Sequence, residues 1–81
     1  MRFSIYTIDS TIFDNDVVSV TLPTESGEIT VLRHHAALMT IVKPGNITIR
    51  DGSDREEIIQ FETGGFLEVQ PEGRGVTLLA S

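Results

Sequence analysis

Turn-forming residues cut this chain at intervals too short for a stable helix. Pro23 with Thr24-Glu25-Ser26-Gly27, then Lys43-Pro44-Gly45, Asp51-Gly52-Ser53-Asp54, Gly64-Gly65 and Pro71-Glu72-Gly73 each interrupt the pattern. Gly supplies positive φ, Pro fixes φ, and Asp and Asn side chains bond their own backbone. Asp14-Asn15-Asp16 reads as a turn for the same reason. Between the breaks, apolar residues recur with a period of two. In Val17–Leu22, Val18, Val20 and Leu22 fall on one side and Val17, Ser19 and Thr21 on the other, the mark of a half-buried strand. Pro23 is expected to end that run. Ile47 and Ile49 alternate with Asn46, Thr48 and Arg50, and Asp51-Gly52 is the strongest hairpin signal in the chain. Arg55–Glu62 returns with Ile59 and Phe61 on one face and Glu56, Ile58, Gln60 and Glu62 on the other.

Further strand-like runs are Arg2–Ile8, Thr11–Phe13, Ile29–Leu32, Leu38–Val42, Phe66–Gln70 and Gly75–Leu79. That makes about eight to ten short strands. His35–Thr40 has the composition for one helical turn, too short to stand alone. The fold class is all-β, an antiparallel sandwich or barrel, with enough Val, Ile and Leu to face two sheets onto one core. One domain over residues 1–81 is expected. A domain of this size buries only about 60% of its unfolded surface, so its stability is marginal.

Twelve acidic against six basic residues give a formal charge of −6. That balance argues against nucleic acid and against anionic lipid head groups, both of which want a basic surface. The absence of cysteine removes disulfides and thiolate metal sites and fits a reducing compartment. No apolar run approaches the roughly 20 residues of a membrane helix, and Met-Arg-Phe-Ser-Ile-Tyr lacks a signal-peptide h-region. A soluble, cytoplasmic protein without direct membrane insertion is expected, any membrane association coming through a partner.

Candidate chemistry is sparse. The serines sit in strands, turns or the terminus, without a Gly-x-Ser-x-Gly elbow. His34 and His35 are adjacent, so in an extended segment they point to opposite faces, and no third ligand is spaced with them. The carboxylate pairs Glu56-Glu57, Asp51/Asp54 and Asp14/Asp16 read as solubilising charges on turns and strand edges. Gly64-Gly65 lacks the Lys-Ser/Thr of a phosphate loop. No catalytic residue, cofactor or metal site is expected. What remains is a rigid acidic scaffold that works by touching other proteins, a small β-sandwich adaptor in the plainest reading. A second reading starts from Lys43. An acidic all-β domain with a lysine at a turn resembles the swinging-arm carriers of lipoate or biotin, but those set the lysine between Asp and Ala or between two Met at a hairpin tip. Here Lys43 lies between Val42 and Pro44.

A more extensive resemblance runs through the chain. Val17-Val18-Ser19-Val20-Thr21-Leu22-Pro23, Gly27-Glu28, Leu38-Met39-Thr40-Ile41-Val42-Lys43-Pro44-Gly45, Gly64-Gly65-Phe66-Leu67-Glu68-Val69 and Val76-Thr77-Leu78-Leu79-Ala80 stand in the order and spacing of one family. Each piece is weak alone; together they resemble the N-terminal domain of the epsilon subunit of F-type ATP synthases. The resemblance implies an antiparallel two-sheet β-sandwich of about ten strands. It also implies a non-catalytic place at the foot of the rotating central stalk, bound to the gamma subunit and resting on the c-ring. The cytoplasmic face of the cell membrane, or the equivalent side of an organelle membrane, follows as its location.

Carried over by position, Glu28 matches the loop that faces the polar loops of the c-ring, and His35 matches the family's motif histidine near the gamma contact. Thr40 and Thr7 fall on the same gamma-facing side. Glu28 and His35 together then form a contact corner. Arg33 and His34 stand where the family has Pro-Gly, Ala37 replaces a Pro and Thr30 a Gly. Pro and Gly set φ there, so another turn geometry is expected, and the Arg33-His34 pair is where partner contact should differ most. The chain stops at Ser81, as a naturally short member or an excised domain would. Either way the family's C-terminal helical hairpin, with its inhibitory and ATP-binding roles, is not expected in it.

Overall fold

A computed structural model describes residues 1–53 and 55–81. Nine strands follow one another: β1 (Arg2–Tyr6), β2 (Thr11–Asp16), β3 (Ser19–Thr24), β4 (Gly27–Leu32), β5 (Leu38–Val42), β6 (Gly45–Arg50), β7 (Glu56–Phe61), β8 (Gly65–Val69) and β9 (Val76–Ala80). A 3₁₀ turn at Pro71–Gly73 separates β8 from β9. His35–Thr40 forms no helical turn: residues 35–37 are irregular and β5 begins at Leu38.

The strands form one continuous ladder in the order β2-β1-β9-β8-β5-β3-β6-β7, with β4 on the other edge of β3. A five-stranded half (β2-β1-β9-β8-β5) meets a four-stranded half (β4-β3-β6-β7) through a single residue pair, Thr24 and Val42. The β1–β9 pair is parallel, Phe3 beside Val76 through Tyr6 beside Leu79. The sheet is therefore mixed, where an antiparallel arrangement throughout was expected. It curls around a core of Phe3, Ile5, Leu22, Ile47, Leu67 and Leu78, all fully buried, with Val20, Val31 and Val42 beside them.

Local departures from the sequence pattern have tertiary causes. Asp14-Asn15-Asp16 is strand, not turn, because β1 supplies its ladder partners, Asn15 opposite Phe3 and Asp16 opposite Arg2. Cross-strand pairing here outweighs the poor strand propensity of Asp and Asn. Val17 and Val18 are the passage between the two halves. The Val17 N–H donates to Met1 O in the first half and the Val18 N–H to Arg50 O in the second. The alternation breaks there: Val17 is buried and Val18 is half-exposed, although Val20 and Leu22 point inward as expected.

Pro23 stays inside β3. On that edge β3 pairs β6 up to Thr21 and β5 at Thr24, and Lys43-Pro44-Gly45 bulges out between. Pro23 O accepts from the Lys43 N–H at 2.8 Å, so its nitrogen faces the bulge, where no donor is required. The hairpin at Glu25-Ser26 closes as expected, with Gly27 at φ 111°. The Asp51-Gly52 turn also closes, Asp51 Oδ1 accepting from Ser53 N and Oγ; Asp54, the last residue of that turn signal, lies outside the described residues.

Candidate functional site

The curl gives the molecule two outer faces of different chemistry. On the four-stranded half, Thr30, Thr21 and Thr48 stand in register across β4, β3 and β6, with Thr21 and Thr30 hydroxyls 2.9 Å apart. Glu28, Asn46, Arg50, Glu56 and Gln60 share that face by strand parity. Leu32 and Ile58, both half-exposed, lie on it among these polar groups.

The five-stranded half differs. Ile41 of β5 pairs with Phe66 of β8, Phe66 with Leu79 of β9, and Leu79 with Tyr6 of β1. All four side chains point away from the core, because their neighbours Val42, Leu67, Leu78 and Ile5 point into it. Ile41, Phe66 and Leu79 are 49%, 40% and 52% exposed. The next row runs Met39, Glu68, Thr77, Ser4 and Asp14, so the apolar strip has one polar flank. Met39 leans on the strip at 63% exposure and, with Phe66 and Leu79, lines a shallow depression of about 160 Å³. At the far end lies the β1–β2 connection, where Ile8 is fully exposed and Ile12, the extra residue of a β-bulge, is half-exposed.

Such a strip of solvent-facing Ile, Phe, Leu and Tyr on a rigid sheet has no catalytic chemistry. It does have what a protein interface needs: apolar side chains already fixed by ladder hydrogen bonds, with a polar rim. Among the described residues no three metal-ligating side chains converge.

The residues singled out from sequence do not gather at one corner. Glu28 is exposed at the start of β4, opposite Pro23, near the hairpin tip. His35 follows the end of β4, so a whole strand separates them, about 3.4 Å per residue. Thr7 lies at the Leu79 end of β1 and holds the β1–β2 turn, its Oγ1 accepting from the Ser10 N–H at 3.0 Å. Thr40 pairs with Leu67 on the core-facing side of β5, back to back with Met39 and Ile41.

Arg33 and His34 form the two central residues of a turn closed by the His35 N–H donating to Leu32 O at 3.0 Å. His34 has φ 72°, the left-handed conformation that suits Gly. A Gly at position 34 would adopt this φ without strain. The His35 Nδ1 lies 2.7 Å from Ala36 O, which holds the ring against its own loop. Lys43 is exposed on the bend joining β5 to β6, two strands that are not ladder partners among the described residues, so it does not tip a hairpin.

The apolar strip was missed, yet it left a signal. Ile5-Tyr6, Ile41-Val42, Phe66-Leu67 and Leu78-Leu79 are adjacent apolar pairs inside strands. Each doublet puts one residue in the core and one outside.

Residues 1–81 match the model of the family described as ATP synthase, Delta/Epsilon chain, beta-sandwich domain. The chain belongs to this family. Relatives agree with the assignment. The chain is 40% identical over 80 residues to the ATP synthase epsilon chain of Herminiimonas arsenicoxydans, covering 99% of this chain and 56% of the relative. It is likewise 40% identical over 80 residues to ATP synthase epsilon chain 1 of Thiobacillus denitrificans, covering 99% and 55%. The epsilon-type domain thus spans about half the length of these curated relatives. Two solved structures share its fold. One is a chain of the Euglena gracilis mitochondrial ATP synthase OSCP/F1/c-ring assembly, with TM-score 0.87, 23% identity, and coverage of 96% of this chain and 48% of that one. The other is a chain of the Tetrahymena thermophila mitochondrial ATP synthase central stalk/c-ring, with TM-score 0.74, 15% identity, and coverage of 98% and 61%.

Proposed function

We propose that this chain is a non-catalytic central-stalk domain of an F-type ATP synthase, which holds the gamma subunit and rests on the c-ring so that rotation passes between them. The observation that carries this reading is the apolar strip Ile41-Phe66-Leu79-Tyr6. It sets apolar side chains in one row across four strands, whereas Leu32 and Ile58 on the four-stranded half stand among polar neighbours, and we assign the row to gamma. Burying three half-exposed side chains of this size stabilises a complex by about 1 kcal/mol each. An interface of about 800 Å² per partner is within reach of a domain exposing 5075 Å². The two halves of the curled sheet act as the two layers of a sandwich, with the strip on the outer face of one of them.

Glu28, exposed near the hairpin tip, is the residue we assign to the polar loops of the c-ring. The Arg33-His34-His35 turn, at the other end of β4, adds a second contact toward the stalk. Both roles come from the family resemblance, and the central-stalk and c-ring assemblies in which this fold recurs support them. The domain would then sit at the cytoplasmic face of the cell membrane, or its organelle equivalent, peripheral through the complex. No helix among the described residues is long and apolar enough to cross a membrane.

Titration of purified gamma subunit into this protein by calorimetry tests the reading. Saturable binding with one-to-one stoichiometry is expected. Absence of heat together with separate elution in gel filtration overturns it.

A further inference from the structure

The main path of the ladder runs from β2 to β7, each with a free edge, and β4 is a further edge strand beside β3. The curl brings the β2 and β7 edges toward each other, and between them lies a cleft of about 610 Å³ lined from both strands. Its floor is apolar: Phe13, tilted 46° against Phe3 with ring centroids 5.7 Å apart, then Val17 and Ile49. Its rim is acidic. Asp16, Asp51, Glu56 and Glu57 line it, with Arg55 the one cation among the described lining residues. Glu56 keeps an ion pair to Arg50 at 3.1 Å, and Asp16 has the Met1 ammonium at 3.9 Å. Glu57 pairs with Ile49, so it stands on the core-facing side of β7 and projects into the opening. This cleft is separate from the apolar strip, which lies on the outer face of β5, β8, β9 and β1.

We propose that this cleft is a docking site for a basic, extended segment of another protein, which joins the free edge of β7 as a further strand. Three features fit that occupant. A strand alternates its side chains, so one set would meet Phe13, Val17 and Ile49 while the other carries lysines or arginines to Glu56 on the outer side of β7. The β7 edge is regular, its register with β6 unbroken from Gly45–Phe61 to Arg50–Glu56. The β2 edge is not, since the bulge at Ile12 shifts its register. The rim charge also selects against a second copy of this chain, whose own net charge is −6. The competing explanation for Glu57 is that an inward charge only guards an exposed edge against aggregation. The proposal reaches beyond the stalk reading and does not depend on it.

The test is titration of the ¹⁵N-labelled protein with the acetylated, amidated heptapeptide Lys-Val-Lys-Val-Lys-Val-Lys, followed by amide chemical shifts. Expected are shifts confined to residues 11–17, 49–51 and 55–61, and affinity at least tenfold weaker in Glu56→Lys, whose side chain lies on the face that receives the peptide's lysines. Affinity should also fall on raising salt from low to physiological strength. The same peptide with Pro at its centre, which cannot complete a ladder, should bind at least tenfold more weakly. Spectra of the free Glu56→Lys variant establish that it folds; Glu56→Gln provides a milder charge removal if it does not. No shifts at millimolar peptide, shifts on the Ile41-Phe66-Leu79 face instead, or equal binding by the matching Glu-Val peptide would each overturn the proposal.

Discussion

Arg2 reaches diagonally from β1 to Asp14 of β2 in a two-point contact, Nε to Oδ1 at 2.8 Å and Nη2 to Oδ2 at 3.0 Å, and the hydroxyl of Ser4, which stands directly opposite Asp14, donates to the same Oδ1 at 2.8 Å. These hydrogen bonds, Arg2 first and Ser4 second, lower the Asp14 carboxyl from its ordinary 3.8 to about 2. A carboxyl held below its unfolded value contributes stability that is complete above the unfolded pKa and disappears as pH falls through the folded one. The thermal midpoint is therefore expected to fall between about pH 4 and about pH 2, and to fall less in Asp14→Asn. The pair is solvent-exposed, so the difference between the two proteins should shrink in high salt. Melting curves at a series of pH values check this. Parallel pH profiles for the two proteins would show that the contact carries no net stability.

The left-handed residue at His34 leads to a second expectation. A side chain at φ 72° costs about 1 kcal/mol or more relative to Gly, part of which Gly returns through greater freedom in the unfolded chain. His34→Gly should raise stability by about 0.5–1 kcal/mol. Adding Arg33→Pro, which pre-sets φ at the preceding turn position, should raise it further. Denaturant midpoints with unchanged slopes would verify both steps. A loss of stability in His34→Gly would mean that the imidazole makes a contact worth more than the backbone strain.

Gly64 and Gly65 part company under substitution for different reasons. Gly64 has φ 71°, and a Cβ there would stand 3.0 Å from Val42 O. Gly65 has ordinary φ, but a Cβ would run into the Leu79 carbonyl oxygen across the β8–β9 ladder. Neither obstacle is the movable end of a side chain. Gly65→Ala is expected to destabilise by about 1–3 kcal/mol through a forced backbone shift. Gly64→Ala is expected to cost at least as much, since strain and contact add there. Equilibrium unfolding of the two variants provides the comparison.

The limits of legibility in this chain follow from range. Turns and strand periods depend on residues a few positions apart, so Asp51-Gly52, the Glu25-Ser26 hairpin and the inward Ile47, Ile49, Ile59 and Phe61 could be read directly. What escaped depends on distant partners. Asp14-Asn15-Asp16 is strand only because Arg2 and Ser4 lie beside it. Pro23 is tolerated only because Lys43-Pro44-Gly45 bulges out opposite its nitrogen. The parallel β1–β9 pair joins the two ends of the chain, which no local pattern reports. The apolar strip escaped for a related reason: the doublets Ile5-Tyr6, Ile41-Val42, Phe66-Leu67 and Leu78-Leu79 mean little singly, and only the register across four strands puts their outer members in one row.

That register separates two residues that sequence alone set side by side. Thr40 and Ile41 are neighbours in β5, but Thr40 faces inward opposite Leu67 while Ile41 faces outward opposite Phe66. If gamma lies on the strip, Phe66→Ser and Ile41→Ser should each weaken it by about 1–2 kcal/mol, five- to thirty-fold in Kd, as truncation of central apolar contacts does. The double variant should approach complete loss. Thr40→Val, which exchanges a hydroxyl for a methyl group on the inner side of β5, should leave Kd within about twofold, any effect falling on stability instead. Calorimetry with gamma and circular dichroism of each variant distinguish interface loss from unfolding. The reverse result, Thr40→Val weakening the complex with Phe66→Ser neutral, would move the interface off the outer face and onto the open edge of β5.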